Sequence, residues 1–226
     1  MRTSALTGIT VAATALGLLL SGCNSDSKPA AAPHTSAKLA KPAAPDGPHP
    51  TIADYLRDHK ITEAHVHRGD PGTPKVELPT FDGWKSAGDD TPDWAYDAII
   101  PSGPGDPKDQ GYTPSVTALL AKLTGTVSPE ALLEAAPGEL QNLPEFKAPG
   151  PGSATTMGHY PAYQIAGTWV SDGKTKFVAQ RTVVIPAGDT TYVLQLNSDG
   201  LADQAAAVQA ATAAVGQQTK ITLPKP

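Results

Sequence analysis

Residues 162–197 read AYQIAGTWVSDGKTKFVAQRTVVIPAGDTTYVLQLN, and this stretch decides the fold. Two runs rich in β-branched and aromatic residues flank Asp172-Gly173. That dipeptide suits a two-residue hairpin turn whose central positions need positive φ. A second reversal is expected near Ala187-Gly188-Asp189, leading into Thr190 to Leu196. The stretch therefore predicts a three-stranded antiparallel meander. With Asp172-Gly173 setting the register, Tyr163, Ile165, Trp169 and Val178 share one face, and Val170, Phe177, Val183 and Ile185 share the other. Both faces carry large apolar groups, so both should be covered.

One cover follows directly. Leu201, Ala205, Val208, Thr212 and Val215 step by four and three, a helical stripe. Ser198 or Asp199 can cap its start and Gly216 can close it, and Ile221 and Leu223 in the tail can add a short strand. Upstream, Thr51 can cap a helix carrying Ile52, Tyr55 and Leu56 on one face. Val76 and Leu78 alternate like a short strand, and Trp94, Tyr96, Ala98 and Ile100 like another that ends at Pro101. Ser102 to Thr113 is rich in Gly, Pro and Asp and reads as a loop. Val116 to Leu123 fits either a helix or a strand. Ser128-Pro129-Glu130 is a helix start, with Pro at the first helical position, and Pro137 should bend or divide that helix. The whole is an α+β domain, an antiparallel β-sheet flanked by helices.

The chain before this domain has a different composition. Arg2 precedes an uncharged apolar run, Ala5 to Leu20, the pattern of a secretory signal and short for a bilayer-spanning helix. Leu20-Ser21-Gly22-Cys23 reads as a lipobox, with small residues before a Cys whose sulfur takes a diacylglyceryl group. The chain has one Cys, and lipidation of Cys23 consumes it. From Asn24 to Pro50, prolines are spread among alanines with a single large aliphatic, Leu39. Such a stretch cannot offset its ordering entropy by burial. At about 3.1 Å per residue it could hold a domain up to roughly 80 Å from a membrane. The expected organisation is a signal peptide over residues 1–22, a lipid-anchored tether over 23–50 and a single domain over 51–226.

The domain carries 13 basic against 20 acidic residues from Thr51 onward, without a basic run. Nucleic acid is excluded as a partner, because phosphate binding needs a concentrated positive surface. No Walker loop or dinucleotide fingerprint is present. Gly150-Pro151-Gly152-Ser153-Ala154 departs from the nucleophile elbow of acyl hydrolases and reads as a loop. His65-x-His67, with Glu63 and Asp70, is the best metal candidate, but two His at that spacing lack a firm third ligand; a polar surface strand is the preferred reading, with no metal or cofactor assigned. Arg68-Gly69-Asp70 matches an adhesion tripeptide and more simply builds a turn with Pro71-Gly72. An apolar ligand needs a concave wall with a few polar groups, and Trp94, Tyr96, Tyr163 and Trp169 are the candidate wall.

Three long strings carry a resemblance: DYLRDHKITEAHVHRGDPG from Asp54, LLAKLTGTVSPEALLEAAPGELQNLPEF from Leu119 and VAQRTVVIPAGDTTYVLQLN from Val178. With the lipobox, they make the chain similar to the mycobacterial LpqN/LpqT-type lipoproteins, on the LpqN side of that family. The resemblance implies a PsbP-like fold with Val116 to Leu123 as a strand. It implies no catalytic residue. It implies a non-enzymatic, lipid-anchored envelope protein that handles trehalose mycolate beside an RND-type transporter. The alternative it offers is a surface-displayed or shed module acting on host proteins.

Overall fold

The computed structural model describes residues 47, 49–102 and 112–225. The signal segment, Cys23 and the proline-rich stretch up to residue 46 lie outside the described residues, as does most of the loop expected after Ser102.

Helix α1 (Ile52–Asp58) opens with a capping box. The Thr51 hydroxyl accepts from the Asp54 N–H at 3.2 Å, and the Asp54 carboxylate accepts from the Thr51 N–H at 2.9 Å, so two orphan donors are satisfied reciprocally. Strands β1 (Thr62–Val66), β2 (Lys75–Glu77), β3 (Trp84–Ser86), β4 (Asp97–Pro101) and β5 (Ser115–Thr124) follow. The ambiguous run at Val116 is thus a strand, as the resemblance implied. Helix α2 (Pro129–Ala135) starts on Ser128, whose hydroxyl accepts from the Ala131 N–H at 3.2 Å. Pro137 separates it from α3 (Gly138–Gln141). The meander is then β7 (Tyr160–Ser171), β8 (Lys174–Ala187) and β9 (Thr190–Leu201), preceded by β6 (Ser153–Met157). Asp172 and Gly173 have φ of 51° and 71°, the conformation the sequence asked of them.

The sheet has eight strands in the order β3-β4-β5-β9-β8-β7-β6, with β1 beside β5. Strand β5 is long enough to share one edge between two partners: β4 lies against Val116 to Ala118 and β1 against Leu120 to Thr124. The last strand, β10 (Lys220–Thr222), pairs with β2 in a separate two-stranded sheet, so the tail does contribute a strand.

Helix α4 (Ala205–Gln218) covers what we term the back face. There Ala211 and Val215 join Val116, Leu120, Val183, Ile185, Leu194 and Leu196 in one buried cluster. On the front face, α1 and α2 bring Ile52, Leu56 and Leu132 onto Leu123, Val184 and Val193. Farther along that face, Leu140 and Leu143 from the α3 region cover Ile165 and Val178. The register pairs Gly167 with Val178 and Thr168 with Phe177, so the two expected sets of meander residues do lie on opposite faces.

Four details differ from the expectations. Ser198 and Asp199 do not cap α4, because β9 runs through both to Leu201; the entry is instead a 3-10 turn in which the Gln204 side chain accepts from the Leu201 N–H at 2.8 Å. Gly216 does not close α4 but lies within it. The Arg181 guanidinium occupies the space a Cβ there would need. Tyr96 breaks the alternation with Ala98 and Ile100: it precedes β4 and packs with Ile99 in the back cluster. Ser153 and Ala154 are strand rather than loop, paired with Gln164 and Tyr163, because β7 supplies a partner that local Pro/Gly content could not reveal.

Candidate functional site: a polar lane on the front sheet face

A central strand covered by helices should point apolar groups inward. Strands β8 and β9 do so on the back face and depart from it on the front. Val184, Thr182, Gln180, Val178 and Lys176 follow one another on the front of β8, opposite Val193, Gln195, Asn197, Asp199 and Leu201 of β9. Strand β5 adds Thr117 opposite Asn197. Strand β1 places Glu63 opposite Leu123 and His65 opposite Ala121. A polar lane thus crosses the face between the α1/α2 cluster and the Leu140–Ile165 cluster. From Gln195 to Asp199 it extends about 13 Å along the strand.

Glu139, from α3, reaches into the lane. One of its oxygens accepts from the Gln180 Nε2 at 2.7 Å and from the Gln195 Nε2 at 2.9 Å. Burial pushes the Glu139 carboxyl above the usual range despite those two donors. Burial, reinforced by the charge of Glu139, raises Glu63 to about 7, and burial alone raises Asp199 to about 7. His65 is shifted downward by burial and by His67. Among the described residues no guanidinium opposes the lane: Arg181 points to the back, where it donates to the Gln164 Oε1 at 2.6 Å, and Arg57 and Arg68 pair with Asp54 and Asp97. The lane's lysine, Lys176, is committed at its far end: its ammonium sits 4.4 Å from the Tyr112 ring centre and 5.4 Å from that of Trp169, and donates to the Tyr112 hydroxyl at 3.3 Å.

Orphaned polar atoms gather here. Seven buried side-chain atoms lack a hydrogen-bond partner among the described residues, and six belong to this face: His65 Nε2, Trp169 Nε1, Gln180 Oε1, Thr182 Oγ1, Asn197 Nδ2 and Asp199 Oδ1. Thr182 is 0% and Gln180 5% exposed. Each such orphan costs about 1–3 kcal/mol unless water or a ligand meets it, which makes the face that concentrates them the candidate site. The orphans include donors and acceptors both. A partner that satisfies them must itself donate and accept, as hydroxyl groups do.

The four aromatic candidates are not brought together. Tyr163 and Trp169 lie on the front face, half-buried, beside Ile165 and Leu143; the Tyr163 hydroxyl donates to the Pro151 carbonyl at 2.7 Å, and the Trp169 Nε1 is one of the orphans. Tyr96 belongs to the back cluster, its hydroxyl accepting from the Val76 N–H at 3.2 Å. It lines two small clefts of about 290 and 360 Å³ on either side of Arg68. Trp94 stands half-buried ahead of β4. Arg68-Gly69-Asp70 forms a turn, closed by the Asp70 N–H donating to the His67 carbonyl at 3.2 Å, and Arg68 is ion-paired with Asp97. His65 and His67 have ring centres 4.4 Å apart, and no group of three or more metal-ligating residues occurs among the described residues. Among those residues no helix is long and apolar enough to cross a membrane.

Comparison with known proteins places this geometry in a family. The family described as "Probable lipoprotein LpqN" matches residues 48–222. The lipoprotein LpqN of Mycobacterium tuberculosis (strain ATCC 25618 / H37Rv) is 42% identical, over 94% of this chain and 96% of that protein. A crystal structure of LpqN, described as involved in cell envelope biogenesis of Mycobacterium tuberculosis, superposes with a TM-score of 0.70 at 45% identity, covering 78% of this chain and 99% of that one. These relatives are lipoproteins by name, which implies an exported, envelope-associated protein. A family match over most of the chain, with the same fold in a solved relative, establishes that the chain belongs to the LpqN lipoprotein family.

Proposed function

We propose that the protein is a non-enzymatic cell-envelope lipoprotein that binds an envelope glycolipid, a trehalose mycolate, as an adaptor or carrier beside an RND-type transporter. The observation that carries this reading is the front-face lane, where unpaired donors and acceptors meet the demands of a polyhydroxylated head group. Trp169 supplies a ring against which a sugar face can stack, and Tyr163 continues that wall. The involvement of a relative in cell envelope biogenesis supports the setting. Cys23 serves as the acyl anchor, holding the domain at the outer face of the membrane through the proline-rich arm.

Mass spectrometry of lipid extracted from natively purified protein tests the reading. A glycolipid present in wild type and depleted in a Gln195→Leu/Asn197→Leu variant is expected. Its absence from wild type under several extraction conditions overturns the reading. Cys23→Ala is expected to leave the membrane fraction, and a variant that still sediments with membranes overturns the anchor.

A second reading, a displayed or shed module acting on host proteins, draws on β6. This strand is a sheet edge, SATTM, with no charged residue to guard it, and an unguarded edge can pair with another chain. A host partner that protects the amides of Ser153 to Met157 from hydrogen exchange would favour it.

A further inference from the structure

The lane has an electrostatic character that a merely polar pocket would lack. The titratable groups facing it can be named element by element. Strand β1 contributes Glu63 and His65, α3 contributes Glu139, β9 contributes Asp199 and β8 contributes Lys176. The one lysine in that set, Lys176, donates to the Tyr112 hydroxyl and lies over the Trp169 ring, neutral partners that leave it as the lane's single cation. The front face therefore sets three carboxyls against one lysine among the described residues. Two further side chains point to a ligand independently of that acidity. Thr182 and Gln180 are more than nine-tenths buried, yet each keeps an unpartnered oxygen.

Resting on the glycolipid reading, we propose that Glu63, Glu139 and Asp199 make the lane a charge filter, admitting uncharged polyol head groups and turning away those that carry a phosphate or another anion. Phosphate recognition needs charge-assisted donors, above all guanidinium forks. The lane's unpaired donors among the described residues are neutral, the Asn197 amide, the Trp169 indole, the Thr182 hydroxyl and the His65 ring, whose pKa burial shifts down, next to acidic oxygens. An anion about 7 Å from one ionised carboxylate is disfavoured roughly 50-fold at an effective dielectric near 20. A sugar hydroxyl meets the same carboxyls favourably in either protonation state, since it can both donate and accept. Because Glu63 and Asp199 titrate near 7, the filter strengthens as pH rises through neutrality.

Trehalose and trehalose 6-phosphate, which differ by one phosphate, test the proposal by calorimetric titration of the full-length protein. At pH 8 trehalose is expected to bind at least ~10-fold more tightly than its phosphate, and at pH 5.5 the gap should narrow to within ~3-fold. A Glu63→Gln/Asp199→Asn variant should accept the phosphate at pH 8 and lose the pH dependence, the residual slope reporting the phosphate's own titration. Equal binding of the two sugars at pH 8, or an unchanged gap in the variant, overturns the filter and leaves the glycolipid reading standing. Failure of both sugars to bind at any pH overturns that reading and the filter with it. If the variant loses its folded circular dichroism, the pH dependence of the wild-type gap decides alone.

Discussion

Thr182 and Ser198 are buried hydroxyls in adjacent strands of one sheet, and only one of them has a partner. Ser198 faces back, where its hydroxyl is hydrogen-bonded to that of Thr212 on α4 at 2.7 Å. Thr182 faces front and is bonded to nothing among the described residues. The same contrast runs through the two faces. The back is an apolar core that seats a helix, with its polar groups paired except Thr219 Oγ1 at the end of α4. The front interrupts its apolar clusters with a lane of acids, amides and orphans. The fold thus concentrates its stability on one face and leaves the other partly unsatisfied. On the reading proposed above, that division is what a ligand-binding surface needs, because groups already paired within the protein have nothing left to offer a ligand.

Substitutions can break or sharpen this contrast. The largest effect should come from the back. Leu194 is 0% exposed beneath α4, and Leu194→Ala should cost about 2–5 kcal/mol, read as a lowered denaturant midpoint with an unchanged slope. Next comes the front acid. Asp199 is raised from 3.8 to about 7; a carboxyl that binds its proton more tightly when folded contributes its stability at low pH and loses it as pH climbs from about 4 through 7. Unliganded protein should therefore melt higher at pH 5 than at pH 8. Asp199→Asn should flatten that slope and stabilise the pH 8 protein by on the order of 2 kcal/mol. A melting temperature that rises from pH 5 to pH 8 would contradict the front-face assignment.

The paired hydroxyls give a smaller and opposite-signed test. Ser198→Ala should cost about 0.5–1.5 kcal/mol, the net worth of its hydrogen bond to Thr212, whose hydroxyl keeps the Val208 carbonyl at 2.7 Å. Thr182→Val, which removes an orphan, should be neutral or stabilising by up to about 1 kcal/mol. If both substitutions destabilise equally, Thr182 has a partner and the contrast fails there. The smallest effect concerns Asn142, whose amide donates to the His49 carbonyl at 2.8 Å and accepts from the His49 N–H at 3.1 Å. Asn142→Ala should cost about 0.5–1.5 kcal/mol and speed amide exchange at His49 without altering the sheet.

The two faces were not equally legible in the sequence. Asp172-Gly173 set the register of the meander, and period-two alternation then sorted Ile165 from Val183 correctly. The helix over the back announced itself through Val208 and Val215. The front lane did not. Both faces were expected to be covered, but that expectation rested on the large apolar groups, and nothing local marked Gln180, Thr182, Gln195, Asn197 and Asp199 as a polar set among them. Their burial is created by other parts of the chain, above all by α3 bringing Glu139 over Gln180 and Gln195. A signal was present: β8 and β9 are central strands, and polar residues at every second position there ask for an explanation. Using it required the strand order. Strand β6 was missed for a related reason, since Gly150 to Ala154 taken locally is a loop, and only β7 makes part of it a strand.

The Asn142 clamp bears on mechanics as well as stability. One hydrogen bond would let the incoming chain pivot, whereas two from a single amide fix its direction as well as its position. His49 is therefore pinned to Asn142 beside the short helix that bears Glu139, so its approach to α1 is set by that one amide, and a force applied through the preceding residues would load that amide first.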